Sequence, residues 1–470
     1  MWYNLDNLQK EDDIMDSRTH DMTRGKPASL LIRFALPLMV GNVFQQLYTV
    51  VDTMVVGQAL GVGALAALGA ADWLNWMMLG IIQGLTQGFA VLMAQAFGGK
   101  NWESLKKTVG NSMVLCGICA VLLVVLGQLM LEPVLLLMRT PEQIIGNSAL
   151  YLRIMFGGIP IVMIYNLEAC ILRSVGDSKT PLYAMILACG INIGLDCLFV
   201  LGFGWGIPGA AAATLIAQCC SAVFCYLRLR KVEAAAARKE HLRMQPKLVG
   251  RLLSLGASMA FQYMMIAVGG LVVQFVVNDC GVLFLAGVTA TNKLYGVLEI
   301  AATSFGFAMT TYVGQNLGAG CFDRIRSGQR AGYIMAVLTS LLIALVMVVL
   351  GKPILSCFIS GTPEEISQTL KISFRYLMVM SAFLPVLYAL YIARSSLQGI
   401  GNTVIPVASG VVELVMRMSM VFLLPALIGN DGIFFAEVSA WVGADIVLLP
   451  GWFICMKKME IHYGSIDFFR

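Results

Sequence analysis

A few polar side chains in this chain sit inside long apolar runs, and their types suggest ion chemistry. The segment 34–57, FALPLMVGNVFQQLYTVVDTMVVG, carries a carboxylate, Asp52, near its far end. An ionised carboxylate at bilayer depth costs about 2.5–3.5 kcal/mol on insertion scales, so it is seldom there by accident. Pro37, earlier in the same run, removes one helical hydrogen bond and favours a bend. A second stretch, INIGLDCLF, holds Asn192 and Asp196 four residues apart, on one face of a helix. Carboxylates and carboxamides are hard oxygen donors, the ligand type that small hard cations favour. Two carboxylates close together in a low-dielectric pocket cannot both stay ionised cheaply, so such a set suits a proton as well as a metal cation.

A strongly apolar chain must position these groups. Its 470 residues are 58% hydrophobic and only 13% charged, too few charges to cover the surface of a soluble protein this long. In lipid, backbone polar groups must be paired within helices or a closed barrel. The apolar runs here are continuous and lack the alternation of barrel strands, so helices are expected. The expected fold class is an all-α polytopic membrane protein with twelve transmembrane helices. The spans fall near 29–57, 63–96, 107–130, 146–171, 181–203, 208–230, 248–278, 283–316, 330–350, 370–395, 402–427 and 432–456. Residues 1–28 are then an N-terminal tail, 29–230 a first six-helix lobe, 231–247 a basic linker, 248–456 a second lobe and 457–470 a C-terminal tail. Met1–Lys26 is polar and lacks the apolar core of a signal peptide.

Charge alternates from loop to loop. The connections 57–63, 202–208, 279–282 and 429–432 hold no Lys or Arg, and two longer ones on that side add only Arg139 and Lys352. The opposite side holds Lys100, Lys106, Lys107, Arg173, Lys179, Arg324, Arg326 and Arg394, and 228–251 adds eight more basic residues. Basic loops mark the cytoplasmic face, so a multi-pass protein of the cell membrane with both termini in the cytoplasm is expected. The net charge of +5 therefore reflects topology and does not imply nucleic acid. Most of the twelve cysteines, including Cys116 and Cys119, lie in apolar runs and read as small packing residues. His20, His241 and His462 fall in a tail, a loop and the C-terminus, which excludes a histidine-ligated metal inside the membrane.

The chain is also duplicated. Residues 151–181 align without gaps to 376–406, with Tyr151/Tyr376, Pro160/Pro385, Gly176/Gly401 and Pro181/Pro406 identical. Upstream, Thr140-Pro-Glu matches Thr362-Pro-Glu, and Gln95-Ala-Phe-Gly matches Gln315-Asn-Leu-Gly, at offsets between 220 and 225. Each half has an even number of spans, so the repeat is parallel, a pattern of secondary transporters. At these offsets Asp52 falls on Val272, Asn192 on Arg417 and Asp196 on Val421. The first half alone is expected to hold the ion site.

The opening ALP-x3-GN…Q-x-Y-x3-D, ending in Asp52, the G-x2-AL-x-A-x-GA segment at 61–70, AQAFG at 94–98 and LRSVGDSKTP with its partner LQGIGNTVIP resemble the multidrug and toxic compound extrusion family. The resemblance covers about 29–455. It implies twelve helices in two V-shaped lobes and antiport of organic cations, drugs or metabolites against Na⁺ or H⁺. It also implies a first-lobe cation site, matched by Asp52, Asn192, Asp196 and Thr214, with Pro37 as the bend proline. A metal role for that set arises if the coupling ion is Na⁺. No other cofactor is expected, and no enzyme activity, since the spans lack H-E-x-x-H and G-x-S-x-G.

Other polar positions have a weaker pattern. Glu299 could attract a cationic substrate or hold a second proton, or make a structural hydrogen bond. Gln45, Gln46, Tyr48, Trp73, Trp76, Gln83, Gln262, Tyr263 and Tyr295 could line a cleft and offer aromatic faces to cations, while the tryptophans equally suit a headgroup belt. Glu413 and Arg417 are expected to pair within one helix; Glu168, Glu437 and Asp445 have no assigned role. Asp177, Ser178 and Lys179 read as a turn between spans 4 and 5. The expected partners are small-molecule, cationic substrates and membrane lipid, and the expected state is a monomer working by alternating access. A lipid-linked saccharide flippase of the wider superfamily is the alternative transporter. The spans offer it few unpaired basic residues: Arg153, Arg375 and Lys293. A membrane-embedded enzyme is the alternative from another class.

Overall fold

The computed structural model describes residues 20–138, 140–359 and 362–467, with the side chains of 62 and 461–467 left aside. The first nineteen residues of the expected N-terminal tail, Arg139, the His462 side chain and the last three residues lie outside that description. Among the described residues there are fourteen helices and no strand.

They run α1 Pro27–Leu60, α2 Val62–Gly98, α3 Trp102–Leu137, α4 Glu142–Gly157, α5 Ile159–Ser174, α6 Lys179–Asp196 and α7 Gly206–Leu229. The second set is α8 Pro246–Asn278, α9 Val282–Gly318, α10 Phe322–Ser356, α11 Pro363–Ala382, α12 Leu384–Ile400, α13 Val404–Ile428 and α14 Phe434–Asp467. Among the described residues, nine helices are long and apolar enough to cross a membrane, and two bent pairs, α4 with α5 and α11 with α12, bring the number to eleven. The remaining expected span, the eighth (283–316), is α9, 37 residues long, whose apolar run is interrupted by Asn292, Lys293 and Glu299. Most of α9 is buried by protein rather than left to lipid.

The bends have a covalent cause. Pro160 and Pro385 sit in the first turns of α5 and α12, where each lacks the N–H that would continue the preceding helix. The chain turns by 49° at the first and 47° at the second. Both breaks fall at equivalent places in the repeat.

Contacts divide the chain into two units. The first consists mainly of Leu36–Ala260, and the second of Gly25–Ala35 with the chain from Phe261 onward. In the first, α2 packs against α3, α4 and α5, and α6 pairs with α7. In the second, α9 packs against α10, α11 and α12, and α13 pairs with α14. The same hydrogen bond recurs in each. Ser148 Oγ donates to the Ala67 carbonyl at 2.9 Å, and Ser373 Oγ to the Gly287 carbonyl at 3.0 Å.

The start of α8 belongs to the first unit because α2 lets it come close. A Cβ on Gly84 would lie 2.4 Å from the Ala260 nitrogen, and one on Gly88 2.4 Å from that of Gly256. The linker is likewise fixed to the first unit. Asn111 on α3 donates to the carbonyls of His241 (3.1 Å) and Arg243 (3.3 Å), and its Oδ1 accepts from the Gln245 N–H at 2.9 Å. A Cβ on neighbouring Gly110 would lie 2.4 Å from the His241 carbonyl oxygen.

Three sequence expectations change. Arg394 is not in a loop: it lies within α12, is buried, and donates to Glu413 at 2.7 Å. Two basic residues counted as unpaired have acidic partners, Arg153 with Glu132 and Arg375 with Asp431, the latter at 2.9 Å. Of the cysteines in apolar runs, Cys116, Cys170, Cys189 and Cys225 are buried, whereas Cys197 and Cys219 are exposed on helix surfaces.

Candidate functional site

The turn that starts α6 is set by Asp177, whose Oδ1 accepts from the N–H groups of Lys179 (3.1 Å) and Thr180 (2.9 Å) while Oδ2 accepts from the Thr180 hydroxyl at 2.6 Å. Side-chain capping of this kind satisfies the otherwise unpaired first N–H groups of a helix. From that start α6 carries Asn192 and Asp196 on one face at its far end. At Asp196 the helix widens into a π-helical stretch, Cys197–Gly202, a distortion often found at functional sites.

Helix α7 meets α6 with Thr214 opposite Asn192, while Gln218, one turn later, lies beside Tyr48 of α1. The Asn192 side-chain amide donates to the Thr214 hydroxyl over 3.4 Å, and that hydroxyl donates to the Ala210 carbonyl at 3.1 Å. Asp196 and Asn192 are buried, and Asp52 on α1 is 9% exposed. Asp52 and Asp196 lie close enough for their charges to interact. Tyr48, one turn before Asp52, neighbours both Gln45 and Gln218.

The chemistry of the place lies in what its oxygens lack. Oδ1 of Asp52, Oδ1 of Asn192, both carboxylate oxygens of Asp196 and Oε1 of Gln218 are buried with no hydrogen-bond donor among the described residues. An unsatisfied buried acceptor costs about 1–3 kcal/mol, and more when charged. A cluster made of acceptors alone is completed by something that donates or is positive: a proton, or a hard cation. No group of three or more His, Cys, Asp or Glu side chains suited to a metal occurs among the described residues. A cation here would rely on two carboxylates and neutral oxygens.

The structure therefore brings Asp52, Asn192, Asp196 and Thr214 into one unit. Pro37 lies inside α1 just past Leu36, where the first unit begins. Gln218 was missed in the sequence, although its spacing from Thr214 is the same i, i+4 pattern that flagged Asn192 and Asp196. Asp72, exposed on α2, was also missed, and its charge reaches Asp52. Trp73 and Trp76 on α2 meet edge to face, with centroids 6.1 Å apart. Gln83 is half-buried and Gln46 exposed.

The second unit carries a different polar set. Glu413 on α13 accepts from Arg417 at 3.2 Å, the expected pair within one helix, and also from Arg394. Arg417 goes on to Glu437 on α14 at 2.6 Å and to the Ile266 carbonyl at 3.3 Å. Two guanidiniums and two carboxylates thus form one ladder across α12, α13 and α14, buried except at Glu437, which is half-buried. Glu299 on α9 accepts from the Tyr391 hydroxyl. Tyr295 stacks on Trp441 with centroids 6.0 Å apart. Gln262 is buried and already engaged, donating to the Pro406 carbonyl at 3.3 Å and accepting from Gln398 at 3.0 Å. Tyr263 is half-buried.

Comparison with known proteins agrees with this architecture. A family model described as MatE matches residues 37–198 and again 258–423, one match in each half of the repeat. The chain is 33% identical over 354 residues to a probable multidrug resistance protein, YoeA, of Bacillus subtilis, covering 74% of this chain and 75% of that protein. It is 24% identical to an FAD transporter of Shewanella oneidensis, over 78% of this chain and 81% of the relative. Among solved structures, a transporter of the MOP superfamily from Pyrococcus furiosus, described as having a binding pocket of reversed polarity, superposes with a TM-score of 0.88. It is 19% identical, and the match covers 95% of this chain and all of that one. With its duplicated all-helical fold and a family match on both halves, the chain belongs to the MatE family of membrane transporters.

Proposed function

We propose that this transporter is a secondary antiporter that exports small organic molecules, cationic ones in particular, in exchange for Na⁺ or H⁺. The observation that carries the reading is the cluster of buried oxygen acceptors around Asp52, Asn192, Asp196 and Thr214, which has the ligand chemistry of a small cation. A multidrug substrate range is supported by the relative of Bacillus subtilis whose name carries it. Tyr295, Tyr391 and the Glu299 carboxylate offer aromatic faces and a negative charge, which suit an organic cation.

In this reading the six-helix lobes 29–230 and 248–456, joined by the linker 231–247, alternate in access. Both termini lie in the cytoplasm of a cell-membrane protein that works as a monomer. Ion binding at Asp52 and Asp196 repacks α1 about Pro37 and lowers the affinity for substrate. Exchange requires this negative coupling, because a ligand with equal affinity for both states shifts nothing.

The test is a reconstituted transport assay in which sodium and pH gradients are imposed separately, with Asp52→Asn as the control. One gradient drives efflux in the parent protein and neither drives it in the variant. Full gradient-driven transport by Asp52→Asn overturns the assignment.

A further inference from the structure

The ladder of the second unit ends beside a group that it leaves out. Asp445 on α14 is 8% exposed, and its Oδ1 has no hydrogen-bond partner. The cation in charge reach is Arg394, whose Nη2 is already given to Glu413 at 2.7 Å; the Glu413 charge reaches Asp445 as well. Glu413 and Glu437 match Arg394 and Arg417, so Asp445 is a carboxylate in excess of its buried countercharges.

Nε of Arg394 and the hydroxyl of Tyr333, both on residues within charge reach of Asp445, are buried without a partner, and so is Nε2 of Gln329, the side-chain neighbour of Tyr333. Gln329 and Tyr333 stand one turn apart on α10 and are side-chain neighbours, and Tyr333 lies within charge reach of Asp445. The groups facing Asp445 are thus Tyr333 from α10, Arg394 from α12 and Glu413 from α13. At 1.5 Å per residue, Gln329 and Tyr333 lie about 10 and 16 Å from the start of α10, Arg394 about 9 Å from the end of α12, and Glu413 about 14 Å from the start of α13. Those helix ends share the side of the basic loops. The four positions therefore lie between about 9 and 16 Å in from the helix ends of that side.

Unpaired donors around a buried carboxylate have the composition of a site for water, which can accept from each donor and donate to the acid. We propose that Asp445, hydrated through Gln329, Tyr333 and Arg394, is a second proton-binding site of this transporter, reached from the basic-loop side. A proton on Asp445 leaves Arg394 to Glu413, as seen here. Its departure to water on that side leaves a carboxylate that competes with Glu413 for Arg394, and so loosens the tie between α12 and α13. Proton occupancy of Asp445 is thereby coupled to the packing of the second unit. This site deepens the antiporter reading but does not depend on the Asp52 cluster.

Infrared difference spectroscopy of the reconstituted protein on a pH step reads protonated carboxyl groups directly. Asp445→Asn removes one component of the carboxyl band that appears on acidification, while the component lost in Asp52→Asn is a separate one. Tyr333→Phe with Gln329→Leu keeps the Asp445 component but shifts its pH midpoint. A spectrum of Asp445→Asn that matches the parent at every pH overturns the proposal. So does an unshifted midpoint in the double variant, which also serves if Asp445→Asn does not fold. Loss of no component in Asp52→Asn counts against the first-unit site alone.

Discussion

The amide of Asn192 donates to the hydroxyl of Thr214 across 3.4 Å, joining two helices that carry Asp196 and Gln218, each one turn further along its own helix. That bond engages the amide nitrogen of Asn192 and leaves its buried Oδ1 unpaired. Asn192→Ala should therefore weaken ion coupling more than it weakens the fold. Coupling energies of about 1–3 kcal/mol correspond to roughly 5–150-fold, and a loss in that range is expected in ion-dependent transport. Parallel melting curves and transport assays separate the two effects.

Ser148 and Ser373 make equivalent bonds in the two units. Interhelical hydrogen bonds in membrane proteins average about 0.6 kcal/mol. Ser148→Ala and Ser373→Ala should each destabilise by about that amount, and the double variant by the sum, since the sites share no partner. Thermal melts in detergent check this.

Glu413 is held by two guanidiniums, whereas Arg417 keeps Glu437 when Glu413 is lost. Removing one partner of a buried ion pair typically costs about 3–5 kcal/mol, because a charge is left uncompensated. Glu413→Gln should therefore destabilise more than Glu437→Gln. The order of their melting temperatures is the measurement.

Gly88 meets the backbone of Gly256 without room for a side chain. Overpacking a close-packed contact costs about 1–3 kcal/mol, so Gly88→Ala should lower the melting temperature. Gly69→Ala, on the same helix with nothing within 4 Å of an added Cβ, should not. Equal melting of the two variants would contradict the close approach of α2 and α8.

Much of the fold was legible because lipid leaves a chain few choices. Long apolar runs, the alternation of basic loops and the repeated proline gave the helices, and Pro160 and Pro385 bend the chain at matching places. Asp52, Asn192 and Asp196 stood out as polar groups with no evident reason to be in apolar runs. The ladder did not. Arg394 falls near a span end and read as a loop residue, and only the packing of α12 on α13 shows that it is buried. Side-chain partners more than a turn apart in sequence, such as Arg417 with Glu437, leave no local pattern to read.

The clamp between Asn111 and Gln245 bears on how such a protein can be made in pieces. A ribosome has to deliver the chain through 245 before α3 finds the carbonyls and the N–H that close over Gly110. Two separately expressed half-proteins divided after 230 would leave that seat bare, whereas a division after 245 keeps it with its owner. The linker is thus part of the packing of the first half, as much as a tether to the second.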